Sequence, residues 1–390
     1  MEPIYLDNNA TTSILPEVAD AMAACRREAF ANPASQHGPG RQARALLEEA
    51  REGIGELLGA RTTGMSADRV IFTSGGTESN NLALRRLGSS DRSRLIVSAI
   101  EHPSIAGTAE QLRLQGQPVD VLPVDADGVI HTDRLSDRIH HDSRLVSVML
   151  GNNETGVLQP VERIAEIAHE RESLVHTDAV QVVGKLPVDF QRLGVDALSC
   201  AAHKFHGPRG IGVLIVRHGT PLRPLLLGGF QQAGLRPGTE SVELAVGMHE
   251  ALRVWDRQRD ARRVHLADLR DRLESGLRAE FAEMVVVGEQ AERLPHTSCV
   301  AFPGLDRQAL AMALDLAGVA ISTGSACASG SSEPSATLVA MGCDRAVIAG
   351  AIRLSVGAST TPAEVDSALG RIISVVKNLQ APKKPSPDSR

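Results

Sequence analysis

The chain has 390 residues, of which 42% are hydrophobic and 23% are charged, values typical of a globular protein large enough for two domains. Its net charge of −6 and its aromatic content of 2% argue against direct nucleic-acid binding, which usually needs a basic surface or stacking aromatic side chains. No apolar run approaches the roughly 20 residues that cross a bilayer, and the first residues lack a signal-peptide pattern, so we expect a cytoplasmic protein without a membrane partner.

From about residue 46 to residue 217, short apolar runs alternate with helical patterns. The runs are rich in Val, Ile and Leu, as expected of strands that are buried on both faces. They cover residues 70–74, 94–100, 119–124, 144–150, 174–178, 197–201 and 212–216. Helical patterns such as 78–86 and 161–171 lie between them, and this alternation predicts an α/β domain with a mostly parallel sheet.

A long, charged, amphipathic pattern over residues 242–278 predicts a helix that carries the chain into a second α/β unit. That unit has candidate strands in MVVVG, TSCVAF and AIRLSVG and a candidate helix in QALAMALDLAG. The end of the chain, APKKPSPDSR, has the Pro, Lys and Ser content of a disordered tail.

The residues that follow the strands are candidates for a site, because ligands of open α/β sheets bind beyond the carboxyl ends of the strands. Gly75, Gly76 and Thr77 follow the first strand and open a helix, where free N–H groups suit a phosphate. An ordinary N-cap turn explains these three residues about as well.

Other strand ends carry titratable side chains, each with two interpretations. Asp178 is either an N-cap or the acid that protonates the ring nitrogen of pyridoxal phosphate. Lys204 is either a lysine that reaches the surface or an amine that forms a Schiff base with a cofactor aldehyde. A lone histidine such as His102 is more often structural, and His203 and His206 lack the further ligands of a metal site. Together, these strand ends supply the parts of a pyridoxal phosphate site.

The five cysteines form no CxxC pair and no zinc pattern, so we expect reduced thiols. One of them, Cys327, lies in ISTGSACASGSSEPS (residues 321–335), a stretch of small residues. By residue type alone Cys327 is an inert, buried thiol, but a Ser- and Gly-rich loop predicts an accessible one. Accessibility favours reactivity, provided that a partner activates the thiol.

The sequence resembles the cysteine desulfurases of the class V aminotransferase group, which are fold-type I pyridoxal phosphate enzymes. The resemblance extends from YLDNNATT (residues 5–12) to TTPAEV (residues 360–365). It is carried by NPASQHGPGRQA, VIFTSGGTESNNLA, EHPSI, GNNETGVLQP, HTDAVQVVGKLPVD, AHKFHGPRGIG, IRLSVG and STGSACASG with the later EPS. The cysteine loop is similar to that of the long-loop class that supplies iron–sulfur assembly.

The resemblance implies an α/β fold of type I, with a mostly parallel, mixed seven-stranded sheet in a large domain and a smaller α/β C-terminal domain. Residues 1–14 would form an N-terminal arm packed with the small domain. Residues 15–257 would form the large cofactor-binding domain, residues 258–380 the small domain with the Cys327 loop, and residues 381–390 the disordered tail.

The resemblance also assigns roles. Lys204 would carry pyridoxal phosphate, His102 would stack on its ring and move protons, and Cys327 would be the nucleophile. Arg353 would bind the substrate carboxylate, with Asn153 close to that carboxylate and to the cofactor.

Further residues would hold the cofactor. Gly76, Thr77 and His203 would bind its phosphate, Asp178 its ring nitrogen and Gln181 its ring hydroxyl. Thr239 would reach the phosphate of the other subunit's cofactor, which implies a homodimer.

The implied reaction converts L-cysteine to L-alanine and leaves a persulfide on Cys327, which then passes sulfur to a protein acceptor such as an iron–sulfur scaffold. The resemblance implies no resident metal, with Cys327 as a candidate transient ligand of an iron–sulfur unit. A selenocysteine lyase or another class V lyase is the alternative activity, and a catalytically weak scaffold protein is a more remote one.

The chain departs from the family pattern at several positions. Ala201 replaces a serine that would donate to the phosphate, and Ala358 replaces an arginine after IRLSVG. Phe230, Gln232 and Ala233 replace a glycine, an acid and an arginine. We expect weaker retention of the cofactor from the loss of the serine, because a hydrogen bond to a charged group stabilises by more than a neutral one.

Overall fold

The computed structural model describes residues 3–88, 94–140, 142–324 and 333–381. The predicted nucleophile Cys327 and nine of the ten residues of the predicted tail lie outside the described residues.

The strands and helices follow the predicted alternation closely. The strands are β1 Ile4–Tyr5, β2 Arg69–Thr73, β3 Arg94–Ser98, β4 Val119–Leu122, β5 Ser143–Ser147, β6 Leu174–Asp178, β7 Ala197–Ala201, β8 Gly212–Val216, β9 Val285–Val286, β10 Thr297–Ala301, β11 Val319–Ala320 and β12 Ala351–Ser355. The α-helices are α1 Pro16–Glu28, α2 Gly38–Leu57, α3 Gly76–Arg86, α4 Pro103–Leu114, α5 Leu135–Arg138, α6 Val161–His169, α7 Phe190–Leu193, α8 Val242–Glu280, α9 Arg307–Leu316, α10 Ala336–Ala340, α11 Arg345–Gly350 and α12 Pro362–Gln380.

The main sheet has seven strands in the order β2-β8-β7-β6-β5-β3-β4. Strand β8 runs antiparallel to both of its neighbours, β2 and β7, and the other pairs are parallel. The predicted mixed, mostly parallel seven-stranded sheet is therefore confirmed. The parallel strands end at one edge, which places the residues that follow β3, β5, β6 and β7 close together.

Alternate residues of these strands enter two different cores, because successive side chains point to opposite faces of a sheet. Along β8, Val213 and Ile215 pack in one core with helices α1, α2 and α8, and Leu214 and Val216 pack in another with α3 and α4. Burial on both faces explains why each strand is a continuous apolar run rather than an alternating one.

A third core, the small core, forms around the antiparallel sheet β12-β10-β9 and helices α9 and α12. Ile4 and Leu6 of the N-terminal arm pack in this core, and β1 pairs in parallel with β11. Helix α8 joins this small core to the main-sheet core that it shares with α1 and α2. Its first half packs in the main-sheet core, and Leu266, Leu269 and Leu273 pack in the small core. The boundary predicted between residues 257 and 258 falls inside this continuous helix.

Within the described part of the chain, no helix has the length and apolar character needed to cross a lipid bilayer.

Candidate functional site

A cavity of about 280 Å³ opens at the carboxyl edge of the main sheet, where the small domain meets it. Nine of the eleven residues predicted to form the site line this cavity: Gly76, Thr77, His102, Asn153, Asp178, Gln181, His203, Lys204 and Arg353. Thr239 instead lines a separate cleft with Phe72 and Ser74. Cys327 is not among the described residues.

The turn after β2 leaves backbone N–H groups at the cavity wall. Gly75 has a φ of +154°, a conformation that favours glycine, and helix α3 begins at the next residue. A Cβ atom added to Gly76 would lie 2.8 Å from Cγ2 of Val180, so a side chain would fill the space above the helix N-terminus. The N–H groups and the dipole of an 11-residue helix make this end suited to an anion such as a phosphate.

His203 and Ala201 lie on the same side of the cavity. Burial lowers the pKa of His203 to about 4, helped by the positive charges of Lys204 and Lys185, so its imidazole is neutral at neutral pH. Nδ1 of His203 lies 3.2 Å from the hydroxyl of Thr11 in the N-terminal arm. Ala201, where the family pattern has a serine, has no hydroxyl to donate into the cavity.

Asp178 ends strand β6 with its carboxylate buried at the cavity. Oδ1 accepts a hydrogen bond from the Val180 amide at 2.9 Å, and Oδ2 accepts one from Nδ2 of Asn80 at 2.6 Å. Two donors hold the carboxylate in place, which orients it toward the cavity as an acceptor for a protonated ring nitrogen.

His102 is the N-cap of helix α4, and its Nδ1 accepts from the Ser104 amide at 3.1 Å. Burial lowers the pKa of His102, the negative charge of Asp178 raises it, and the positive charge of Lys204 lowers it. The imidazole therefore faces the cavity as a neutral group that can hold or release a proton.

Lys204 follows β7 and donates from Nζ to the carbonyl oxygens of Asn9 at 2.5 Å and Ala10 at 3.0 Å. Behind it, the buried Lys185 donates to the carbonyl of Lys204. Burial lowers the pKa of Lys185 to about 7, with a further contribution from the charge of Lys204. Burial therefore favours the neutral form of the Lys185 amine, which lies directly behind Lys204.

Arg353 enters the cavity from strand β12 of the small domain and is only 2% exposed. Its Nη1 donates to the carbonyl of Asn153 at 2.8 Å, and its Nη2 donates to Oδ1 of Asp7 at 2.7 Å. Its Nε is buried and has no hydrogen-bond partner among the described residues. A guanidinium with a donor left over suits the capture of a carboxylate.

The described residues fit pyridoxal phosphate. Nε2 of Gln181 donates to Asn9, but its Oε1 is buried and lacks any donor within the described chain. Buried acceptors are almost always satisfied, so this oxygen indicates a missing donor, and a ring hydroxyl supplies one. Gln181, Asp178 and Lys204 thus offer partners for a hydroxyl, a ring nitrogen and an aldehyde in one cavity.

Eight residues that the sequence analysis did not assign to the site also line the cavity. They are Asn9, Ala10, Asn80, Ser104, Met149, Gly151, Val180 and Ala201. A sequence signal existed for two of them. Asn80 lies four residues after Gly76 on helix α3, so the two share a helix face. Asn9 lies in YLDNNATT, one of the stretches that carry the resemblance.

Two of the positions that depart from the family pattern, Gln232 and Ala358, make hydrogen bonds in this structure. Gln232 has a φ of +48° and pairs with strand β2, accepting from the Phe72 amide at 2.7 Å and donating to its carbonyl at 2.9 Å. Phe230 is 85% exposed, as is Leu227 at 89%. The amide of Ala358 donates to Nε2 of His206 at 3.2 Å.

Comparison with known proteins identifies one family. The family model described as aminotransferase class V matches residues 4–368. A cysteine desulfurase of Cereibacter sphaeroides is 43% identical, covering 98% of this chain and 97% of that protein. The cysteine desulfurase IscS of Dictyoglomus turgidum is 38% identical over 97% of this chain and 95% of its own length.

Solved structures lead to the same family. A NifS-like protein superposes with a TM-score of 0.88 at 36% identity and covers 97% of this chain and 100% of its own. A structure described as SspA in complex with cysteine superposes with a TM-score of 0.78 at 30% identity, over 92% of this chain and 99% of that one. The predicted fold of type I is confirmed by these likenesses, and the chain belongs to the class V aminotransferase family.

Proposed function

We propose that this protein is a pyridoxal phosphate-dependent cysteine desulfurase that takes sulfur from L-cysteine. The observation that carries the proposal is the convergence of Lys204, Asp178 and Gln181 in one cavity, with Arg353 entering the same cavity from the small domain. The similarity to proteins named cysteine desulfurase over nearly the whole chain supports it. Class V aminotransferases generally depend on pyridoxal phosphate.

Different residues of the cavity would bind different parts of the cofactor. The N-terminus of α3 at Gly76 and Thr77 would hold the phosphate together with His203, Asp178 would bind the ring nitrogen, and Gln181 the ring hydroxyl. Lys204 supplies the amine for the aldehyde. When bound, the cofactor supplies an electron sink that weakens bonds at the substrate's carbon atoms.

The substrate lies between the two domains. Arg353 would hold its carboxylate, and the Asn153 carbonyl fixes the guanidinium through a 2.8 Å hydrogen bond. His102, neutral and at the cavity wall, would accept a proton and return it. Removal of water from this partly enclosed site strengthens each of these electrostatic contacts.

Cys327 would receive the sulfur. The carbon–sulfur bond of cysteine breaks and a sulfur–sulfur bond to Cys327 forms, so that cysteine and the thiol give alanine and a persulfide with no outside oxidant. Support for this role comes from the described residues Gly324 and Ser335, which line a cleft that shares Asn153 with the cavity. Glu154, next to Asn153, accepts from the Ser335 hydroxyl at 2.6 Å, and a Cβ atom on Gly324 would lie 3.0 Å from the same carboxylate.

A homodimer and a protein sulfur acceptor complete the proposal. Thr239 lies in the same loop region as Leu227 and Phe230, which are largely exposed in the single chain. Large exposed apolar side chains mark interaction surfaces, and a second copy covering them would bring Thr239 to the partner's cofactor. The persulfide requires an acceptor with a reactive thiol, such as an iron–sulfur scaffold protein.

The test is the release of alanine and sulfide from L-cysteine in the presence of a thiol reductant. We expect the variant Cys327→Ser to keep the cofactor's absorption and to lose sulfide release, and Lys204→Ala to lose stable attachment of the cofactor. The matched control is Cys343→Ser, since Cys343 is also a free thiol but is half-buried against Leu338 and Met341 and does not line the cavity among the described residues. Full activity of Cys327→Ser would contradict the assignment of the nucleophile, and activity with selenocysteine alone would favour a selenocysteine lyase.

A further inference from the structure

A chain of hydrogen bonds joins Asp178 to His102 through two side chains that the proposed chemistry does not otherwise use. Nδ2 of Asn80 lies 2.6 Å from Oδ2 of Asp178 and 2.9 Å from the hydroxyl oxygen of Ser104. That hydroxyl oxygen lies 2.8 Å from Nδ1 of His102. The four residues come from strand β6, helix α3 and the start of helix α4.

The direction of each hydrogen bond follows from the charge at one end. An ionised carboxylate only accepts, so the amide of Asn80 presents its NH₂ group to Asp178. The same NH₂ group faces Ser104, so the oxygen of Ser104 is an acceptor there. The hydroxyl hydrogen of Ser104 is then left to donate to Nδ1 of His102.

Two donors therefore meet at Nδ1 of His102, the Ser104 hydroxyl at 2.8 Å and the Ser104 amide at 3.1 Å. A ring nitrogen that accepts two hydrogen bonds carries no proton of its own. In the neutral imidazole the proton is consequently on Nε2.

The network is sheltered from water. Asn80, Ser104 and Asp178 are all buried, and Asn80 Oδ1 has no partner among the residues that the structure describes. Rotating the amide by half a turn would place Oδ1 of Asn80 against the carboxylate of Asp178. Two acceptor oxygens would then lie about 2.6 Å apart, where they repel each other. The orphaned oxygen thus indicates that the contact with Asp178 decides the orientation of Asn80.

We propose that Asn80 and Ser104 are positioning residues that fix the proton of His102 on Nε2 and link this tautomer to the ionised carboxylate of Asp178. The inference deepens the proposed function, because the same proton would be exchanged with the substrate. It gives a role to an asparagine and a serine of the cavity wall that the proposed function leaves without one. It also makes the tautomer of His102 depend on Asp178, the proposed partner of the ring nitrogen.

The two charged groups that face His102 shift its pKa in opposite directions. Burial and the Lys204 charge lower the pKa of His102, while Asp178 raises it. The imidazole is neutral at neutral pH as a result, so the tautomer is the property that the network controls.

The direct test is nitrogen NMR of the histidine rings in the full chain, before and after addition of pyridoxal phosphate, with His102 assigned by its loss in His102→Gln. We expect His102 Nδ1 to give the signal of an unprotonated nitrogen in the wild-type protein. We expect Ser104→Ala and Asn80→Ala each to add a population protonated at Nδ1. The matched control is Asn81→Ala, on the same helix, because Asn81 is only half-buried and bonds to Thr77, Arg85 and Thr108 rather than to Ser104.

A kinetic readout accompanies the NMR measurement. We expect Ser104→Ala and Asn80→Ala to lower kcat about tenfold with a smaller change in KM, since one hydrogen bond in a buried network stabilises by about 1.4 kcal/mol. The pH at which kcat/KM falls on the acid side should shift in these variants and not in Asn81→Ala. A loss of packing alone would leave that pH unchanged.

Two results would overturn the inference. The first is a wild-type His102 that is protonated at Nδ1. The second is that Ser104→Ala and Asn80→Ala both keep the wild-type tautomer and the wild-type pH at which kcat/KM falls on the acid side. If the wild-type protein forms no alanine from cysteine, the proposed function fails, yet the NMR result still decides the tautomer. Ser104→Ala removes only one oxygen atom, so it remains a valid test if Asn80→Ala does not fold.

Discussion

The guanidinium of Arg353 lies 2.7 Å from the carboxylate of Asp7, although the two residues are 346 positions apart. The pair joins the N-terminal arm to strand β12 at the edge of the cavity. Removing one member of a buried pair leaves the other charge uncompensated, which destabilises strongly. We therefore expect Asp7→Ala to lower the free energy of unfolding by about 3 kcal/mol and to raise KM for cysteine, because Arg353 loses its fixed orientation.

The chain offers an exposed pair for comparison. Arg272 and Asp366 are closer together, at 2.5 Å, but each side chain is about half exposed. Exposed pairs stabilise by 1 kcal/mol or less, so Asp366→Ala should change stability by about 0.5 kcal/mol. Denaturant unfolding of both variants measures the difference, and equal losses would show that burial does not control the energy of the Asp7 pair.

Much of the fold could be predicted from the sequence because burial on both faces makes each central strand a continuous apolar run. The predicted bounds of β6, β7 and β8 match the structure. Strand β4 ends at Leu122, two residues before the predicted end, since Pro123 has no N–H to donate to a sheet. Position at a strand end made Asp178 and Lys204 candidates with two interpretations each, and both line the cavity.

The missed contacts share one physical property. Asn80 and Asp178 are 98 positions apart, and Asp7 and Arg353 are 346 apart. Which polar side chains meet at such separations depends on how helices and sheets pack, and neither composition nor periodicity records it. Residue type suggests what Asn80 can donate, but only the fold shows that Asp178 receives it.

Buried neutral histidines predict a loss of stability in mild acid. Burial lowers the pKa of His203 and of His206 to about 4 and that of His176 to about 3, against 6.5 in the unfolded chain. Between these pKa values the unfolded state binds more protons than the folded state. The contribution of the three histidines to stability is therefore fully present above pH 6.5 and is lost as the pH falls to about 4. Each group contributes up to about 1.4 kcal/mol per pH unit in that range.

Thermal unfolding between pH 4 and pH 8 measures this effect. His206 is the group to replace, since its Nε2 accepts from the Ala358 amide and its Nδ1 lies 2.9 Å from the Ser13 carbonyl. His206→Gln should be less stable than wild type at pH 8 and should show a shallower decline toward pH 4. A decline as steep as in the wild type would remove His206 from the acid transition.

Glu101 should behave in the opposite way with pH. Burial raises the pKa of Glu101 to about 8, and its Oε2 has no partner within the described chain. Its contribution to stability is present below pH 4.5 and is lost as the pH rises through about 8, because the fold must then bury a carboxylate. Glu101→Gln keeps the shape without the charge, so we expect its melting temperature to exceed that of wild type by a margin that grows from pH 5 to pH 8 and then levels off.

The matched control for Glu101 is Glu110, which is exposed and paired with Arg113 at 2.7 Å. Glu110→Gln should show no gain that grows over the same pH range. A constant difference between Glu101→Gln and wild type from pH 5 to pH 9 would mean that Glu101 does not titrate in this interval.

Phe230 tests the proposed homodimer. Its ring is 85% exposed in the single chain, and burial of an aromatic side chain at the centre of an interface commonly stabilises association by 2 kcal/mol or more. We expect Phe230→Asp to raise the dissociation constant of the dimer at least about thirtyfold and to weaken cofactor retention, because Thr239 of each copy would leave the other's phosphate. Light scattering across a dilution series measures the first effect.

Met65 provides the control for Phe230, since it is 97% exposed and lies in the turn before β2. Met65→Asp should leave the mass in solution unchanged. A wild-type protein that is monomeric at micromolar concentration would contradict the proposed dimer and the role of Thr239 together.

Ala201 is the position at which a single oxygen atom should improve cofactor binding. It ends β7, is buried and lines the cavity, and its Cβ lies 3.7 Å from the point that a Cβ on Gly76 would occupy. A hydroxyl at this position can donate to the phosphate, and a hydrogen bond to a charged group stabilises by roughly 1.5–3 kcal/mol. Ala201→Ser should therefore bind pyridoxal phosphate at least about tenfold more tightly.

Equilibrium dialysis followed by the cofactor's absorbance measures this affinity, with Ala202→Ser as the control. Ala202 is equally buried but does not line the cavity among the described residues, so its hydroxyl cannot reach the phosphate. If Ala201→Ser binds no more tightly than wild type while Thr77→Val binds more weakly, the phosphate lies at the start of α3 but beyond reach of β7. That outcome would move the cofactor's phosphate away from His203 as well.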